Sequence, residues 1–110
     1  MKRRTMLSLL ASLPAATAFA KESAGALVLG QSCPLTGPSA QLGIQLNRGA
    51  RLYFDRVNAN GGVEGRKIEL RTLDDGYEPD RCKANTQKFL DDNVGALFGY
   101  VGTPTSLAAL

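Results

Sequence analysis

Residues 49–70, GARLYFDRVNANGGVEGRKIEL, hold the change of period that decides the fold. Leu46, Gly49, Ala50, Tyr53, Phe54 and Val57 recur at helical spacing, with Arg48, Arg51 and Asp55 opposite, which predicts a helix over 41–58. Gly49 and Ala50 at the middle of the apolar face would let that helix lie close to a sheet. Asn58-Ala59-Asn60-Gly61-Gly62 stops it, because Asn and Gly tolerate the left-handed conformation of a helix end. Val63-Glu64-Gly65-Arg66 then turns the chain. From 67 to 73 the period falls to two: Ile68, Leu70 and Thr72 alternate with Glu69 and Arg71. One wet face suits a strand near a sheet edge.

The same grammar runs in both directions. Residues 26–31, ALVLGQ, form a short apolar run suited to a buried parallel strand. Residues 32–39, with Pro34, Gly37 and Pro38, form a loop at its C-terminal end. A second helix is predicted over 79–92, with Pro79 in its first turn and Cys82, Thr86, Phe89 and Leu90 inward. A third strand is predicted over 94–100. A third helix follows, with Thr103 as N-cap and Pro104 at its first position. The order β-α-β-α-β-α implies an α/β fold, a parallel sheet with flanking helices. A helix that begins so near Leu110 cannot cover a sheet, so we expect the 110 residues to be the front part of a longer protein.

The formal charge of +3 and the pI near 9.1 would suggest an anionic partner if the charge lay on the folded part. It does not. Lys2, Arg3 and Arg4 precede the apolar run 6–18, and Ala18-Phe19-Ala20 is a small-x-small cleavage site, so 1–20 reads as an export signal cleaved after Ala20. The run is too short to span a membrane, which takes about 20 apolar residues. Arg3-Arg4 leaves both the general secretory and the twin-arginine routes open. No Cys stands at the cleavage site to carry a lipid anchor. Residues 21–110 keep ten basic and ten acidic side chains, which removes the electrostatic case for nucleic acid.

Catalytic patterns are scarce. There is no His, hence no Ser-His or Cys-His pair and no His metal ligand. No phosphate-loop glycine motif occurs, and neither cofactor nor metal is expected. Asp74-Asp75 reads as a polar turn ending a strand, since neighbours there point to opposite faces. Cys33 and Cys82 both fall at the C-terminal edge of the predicted sheet. A bridge between them would span 49 residues, worth about 4 kcal/mol in the loop-entropy account; two separate buried thiols is the equal alternative. Ligands of open parallel sheets bind beyond the strands' C-terminal ends. Thr103 offers a hydroxyl and a backbone N–H there, either to cap its helix or to hold a carboxylate.

From Leu27 onward the sequence resembles the leucine/isoleucine/valine-binding type of periplasmic solute-binding protein, the soluble receptor of ABC uptake transporters. The matching segments are GQSCPLTGPSAQLG (30–43), GARLYFDRVNANGGVEGRKIEL (49–70), DDGYEPDR (74–81) and ALFGYVGTPTS (96–106). The resemblance implies a type 1 periplasmic binding fold, with 21–110 supplying the start of the first of two lobes. It implies a non-enzymatic receptor in the periplasm that closes on a small carboxylate-bearing ligand and docks to a membrane permease. It further implies that Thr103 holds the carboxylate, with Gly102, Thr105, Leu35, Thr36 and Leu42 lining the same pocket. Two departures stand out. Leu42 occupies a position that is often aromatic in amino-acid-binding members, and Tyr77 and Gly102 stand where some members carry a disulfide. A ligand-sensing module of the same fold and an exported α/β enzyme are the alternative readings.

Overall fold

The structure, a computed structural model, describes residues 25–110; the predicted export signal lies outside them. In chain order the elements are β1 (Leu27–Cys33), α1 (Ala40–Ala59), β2 (Ile68–Asp74), α2 (Pro79–Asp91), β3 (Ala96–Leu97) and α3 (Thr103–Ala108). The strands form one parallel sheet in the order β2-β1-β3. No helix among the described residues is long and apolar enough to cross a membrane.

Register explains the layers. Leu27 pairs with Ile68, Leu29 with Leu70, Gln31 with Thr72 and Cys33 with Asp74, and paired residues of a parallel ladder share a face. On that face lies α1: Asn47 Nδ2 donates to Gln31 Oε1 and to Thr72 Oγ1, each at 2.8 Å. Gly30 and Ser32 face the other way, onto α2. A Cβ on Gly30 would meet the Phe89 ring at 2.7–2.9 Å, and Asn85 Nδ2 donates to Ser32 Oγ at 3.0 Å. The connection from β1 to β2 runs one way across the sheet and that from β2 to β3 runs back, which sends the two crossover helices to opposite faces.

The turn between α1 and β2 shows why its residues are what they are. Glu64 (φ 52°) and Gly65 (φ 79°) form the tip, and Val63 and Arg66 pair across it. Asn58 then acts as a neighbouring strand for the start of β2. Its Nδ2 donates to Ile68 O at 2.8 Å, and its Oδ1 accepts from Ile68 N at 2.7 Å. β2 has one strand neighbour among the described residues and carries the exposed Glu69–Arg71 ion pair, as the wet alternation implied.

Several expectations need correction. β1 runs on to Cys33, so Ser32 and Cys33 belong to the strand and not to the loop. β3 shrinks to Ala96–Leu97 because Gly99 takes φ +68°, although Gly95 N to Val28 O and Phe98 N to Gly30 O extend its bonding to β1. The close approach of α1 comes at Gly43, where a Cβ would lie 1.8 Å from Pro34 O; Gly49 faces open space. Leu46 and Tyr53 are exposed at 40% and 64%, while Arg51 reaches inward to Leu70 O and Thr72 Oγ1. Polar reach from Asn47, Arg51 and Asn58 places α1 on the sheet, which an apolar stripe alone does not reveal. On α2, Cys82, Thr86 and Phe89 are buried but Leu90 is exposed.

Candidate functional site

The site follows from the strand order. Helix α1, after β1, lies on one face of the sheet; α3, after β3, packs beside α2 on the other. β1 and β3 are neighbours and the helices that follow them lie on opposite faces, so their C-terminal loops part at the reversal of strand order, the place where open parallel sheets form a ligand crevice. Leu35 and Thr36 stand on the β1 side, and Gly102 and Thr103 on the β3 side.

The β1 wall is held by charge. Asp74 Oδ1 accepts from Leu35 N at 2.8 Å and from Gly76 N at 2.9 Å, and Thr36 Oγ1 donates to Asp74 Oδ2 at 2.7 Å. Arg81 Nη2 lies 3.6 Å from the same oxygen. Burial alone would raise this carboxyl, but the Leu35, Thr36 and Gly76 donors and the Arg81 charge outweigh it and hold the pKa at about 2. Thr36 therefore meets the crevice with its hydroxyl already engaged. Leu35 is half-buried, and Leu42, in the first turn of α1, is exposed.

The β3 wall is held by shape. Gly102, at φ +96° and ψ 143°, is the residue before α3, and Thr103 is its first helical residue. The expected N-cap thus moves back by one, because only a glycine enters this backbone region without strain. No side chain caps α3, and Thr103 is exposed beside the crevice. A Cβ on Gly102 would meet the Tyr77 ring at 2.7 Å, so the β2 loop abuts the β3 loop. Gly102, Thr103, Ser106, Leu107 and Leu110 line a recess of about 400 Å³. A larger groove of about 820 Å³ follows α1 from Leu35 to Asp55 and shares only Leu35 with the crevice.

Thr105 does not line the recess. It is fully buried, and its hydroxyl donates to Val101 O and Gly102 O, the two residues that lead into its own helix. Cys33 and Cys82 are not bridged: both are buried free thiols. Cys33 Sγ lies 3.9 Å from Gly43 O on the α1 face, whereas Cys82 sits on α2 across the sheet. The extension of β1 to Cys33 is the physical reason, since it turns Cys33 away from its neighbour Ser32. Burial first, then Asp75 and Asp74, push the Cys33 thiol up to about 11, and burial raises Cys82 as well, so both are poor nucleophiles.

Asp74, Asp75 and Tyr77 are the residues that the sequence reading undervalued. Asp75 is fully buried, accepting from Ser32 Oγ at 2.7 Å and Tyr77 N at 2.8 Å, on the opposite face from Asp74. The signal was present in D-D-G-Y: each Asp accepts from the N–H two residues on, which nests two side-chain turns at a strand end.

Comparison with known proteins agrees with this geometry. The Leu/Ile/Val-binding protein BraC3 of Rhizobium johnstonii is 35% identical over 97 residues, which cover 88% of this chain and 26% of the relative. Among solved structures, a possible leucine/isoleucine/valine-binding protein from Rhodopirellula baltica superposes with a TM-score of 0.73 at 40% identity, over 77% of this chain and 23% of that one. An ABC-transporter solute-binding protein from Rhodopseudomonas palustris, solved with 3,4-dihydroxybenzoic acid, superposes with a TM-score of 0.69 at 32% identity, over 77% of this chain and 23% of that one. The chain thus spans about a quarter of the length of the relatives it matches. Residues 26–110 match the periplasmic binding protein family. The chain belongs to that family, one of extracytoplasmic solute-binding transport proteins and not of enzymes.

Proposed function

We propose that this chain supplies one wall of the ligand cleft in the receptor of an ABC uptake system for a small carboxylate-bearing solute, such as an amino acid. The observation that carries the reading is the reversal of strand order between β1 and β3, with the exposed Thr103 hydroxyl on its β3 side. Leucine, isoleucine, valine and 3,4-dihydroxybenzoic acid differ in body and share a carboxylate, the group that Thr103 Oγ1 and its N–H suit. Leu35 and Leu42 would meet the apolar body, and Gly102, pressed against the Tyr77 ring, would set the path of the backbone beside it. In this reading residues 1–20 direct export to the periplasm and are removed after Ala20. Residues 21–110 belong to the first lobe, and a membrane permease receives the solute when the cleft opens.

The test is calorimetry of the full gene product against branched-chain amino acids and hydroxybenzoates. Thr103→Val keeps the shape and removes one donor to a charged acceptor, so affinity should fall by about 1.5–3 kcal/mol. Unchanged affinity in Thr103→Val, or no heat with any carboxylate-bearing solute, would sink the assignment.

A further inference from the structure

We infer that Asp74 is the positioning residue of the cleft: its carboxylate fixes the Leu35–Thr36 loop on the end of β2 before any ligand arrives. The inference rests on reading that loop as a ligand wall.

Two of the three donors to this carboxylate come from far along the chain. Leu35 N–H and Thr36 Oγ1 are 39 and 38 residues away, while Gly76 N–H is two away. An aspartate that only closed its own turn would need Gly76 alone. The residue is also anchored from behind. Its carbonyl oxygen accepts from Arg81 Nη2 at 3.2 Å and from Asn85 Nδ2 at 3.2 Å, both on α2. Arg81 Nη1 would lie 2.6 Å from a Cβ on Gly76, so the guanidinium lies against the turn. One carboxylate at a strand end thus joins the loop after β1, the turn after β2 and the start of α2. An Asn in its place could present only one acceptor oxygen to three donors. The charged groups around Asp74 are Arg81 on α2, its other partner Glu78 just before that helix, and the buried Asp75 beside it. From the α1 side, Arg51 ends two residues earlier, on Thr72.

The experiment is amide exchange and pH titration of the chain by NMR, with no ligand added. In Asp74→Asn, exchange at the Leu35 amide should rise about tenfold to hundredfold, the loss of one bond to a charged acceptor. The Gly95 and Phe98 amides, which bond to β1 elsewhere, should change less than about threefold. Equal loss at all of these amides, or none at Leu35, overturns the inference. In the unaltered chain the Leu35 and Gly76 amide shifts should stay level through pH 4, near the ordinary Asp value of about 3.9, and move together below about pH 3. Midpoints near 4, or different midpoints for the two amides, overturn it as well. If Asp74→Asn does not fold, Thr36→Val removes one donor and leaves the carboxylate: the shared midpoint should rise, and an unmoved midpoint counts against the proposal. Since no ligand is involved, failure here leaves the Thr103 reading standing, and failure of the ligand panel leaves the clamp standing.

Discussion

The two walls of the crevice are built in opposite ways. The β1 wall stands on two seven-residue strands in continuous register, and its loop is tied by hydrogen bonds to a carboxylate. The β3 wall stands on a two-residue strand preceded by Gly95 and followed, after Phe98, by Gly99, and it is shaped by a glycine pressed against the Tyr77 ring. The first wall is directional: charge-assisted bonds fix where each donor points. The second is steric: a missing side chain leaves room and an unusual backbone angle sets the path. The wall built with less regular structure is also the one that exposes Thr103.

The largest expected effect lies on the β1 wall. Gly43→Ala would put a methyl group 1.8 Å from Pro34 O, a backbone atom that cannot swing aside. We expect a loss of about 3 kcal/mol or more in urea unfolding, the upper end for overpacking. A loss under about 1 kcal/mol would show that the first turn of α1 can retreat from the loop. The β3 wall should respond less. Gly102→Ala strains φ +96° and meets a ring, and should cost about 1–3 kcal/mol. Adding Tyr77→Ala should return the steric share, seen as a coupling of about 0.5 kcal/mol or more in a double-mutant cycle. Strict additivity would mean that Tyr77 does not set the position of Gly102. The smallest effect belongs to Thr103→Val. With no cap bond to lose, its stability should stay within about 0.5 kcal/mol of the parent by thermal unfolding. A loss above about 1 kcal/mol would make Thr103 a structural cap and remove the contrast between the walls.

Much of the fold was legible. α1, β2 and α2 begin and end within one residue of the periodicity's limits, because Pro79, the Asn-Gly run at 58–62 and the alternation at 67–73 act locally. β3 was not legible to the same degree. VGALFGY has a strand's apolar character, but Gly99 at positive φ ends the pairing early, and glycine identity alone does not reveal its angle. The inward face of α1 was legible in part: Ala50, Phe54 and Val57 are half-buried and Phe54 packs on the Phe98 ring, but the rest was misread. Leu42, Leu46, Leu52 and Tyr53 are apolar yet exposed, while Asn47, Arg51 and Asn58 turn to the sheet and bond to it. Periodicity counts apolar side chains and is blind to polar ones that find a partner in the fold.

The site divides along the same line. Local sequence by itself determined the alternation of helix and strand, the parallel sheet and the turn at Val63–Arg66, since propensity and turn chemistry act over a few residues. Tertiary structure decided the strand order and with it the crevice between β1 and β3. It set Cys33 and Cys82 on opposite faces, turned Thr105 into its helix and brought Asp74 to a loop some forty residues away. Each of these depends on which strands become neighbours and which face each residue takes, and a single residue of strand length reverses the face.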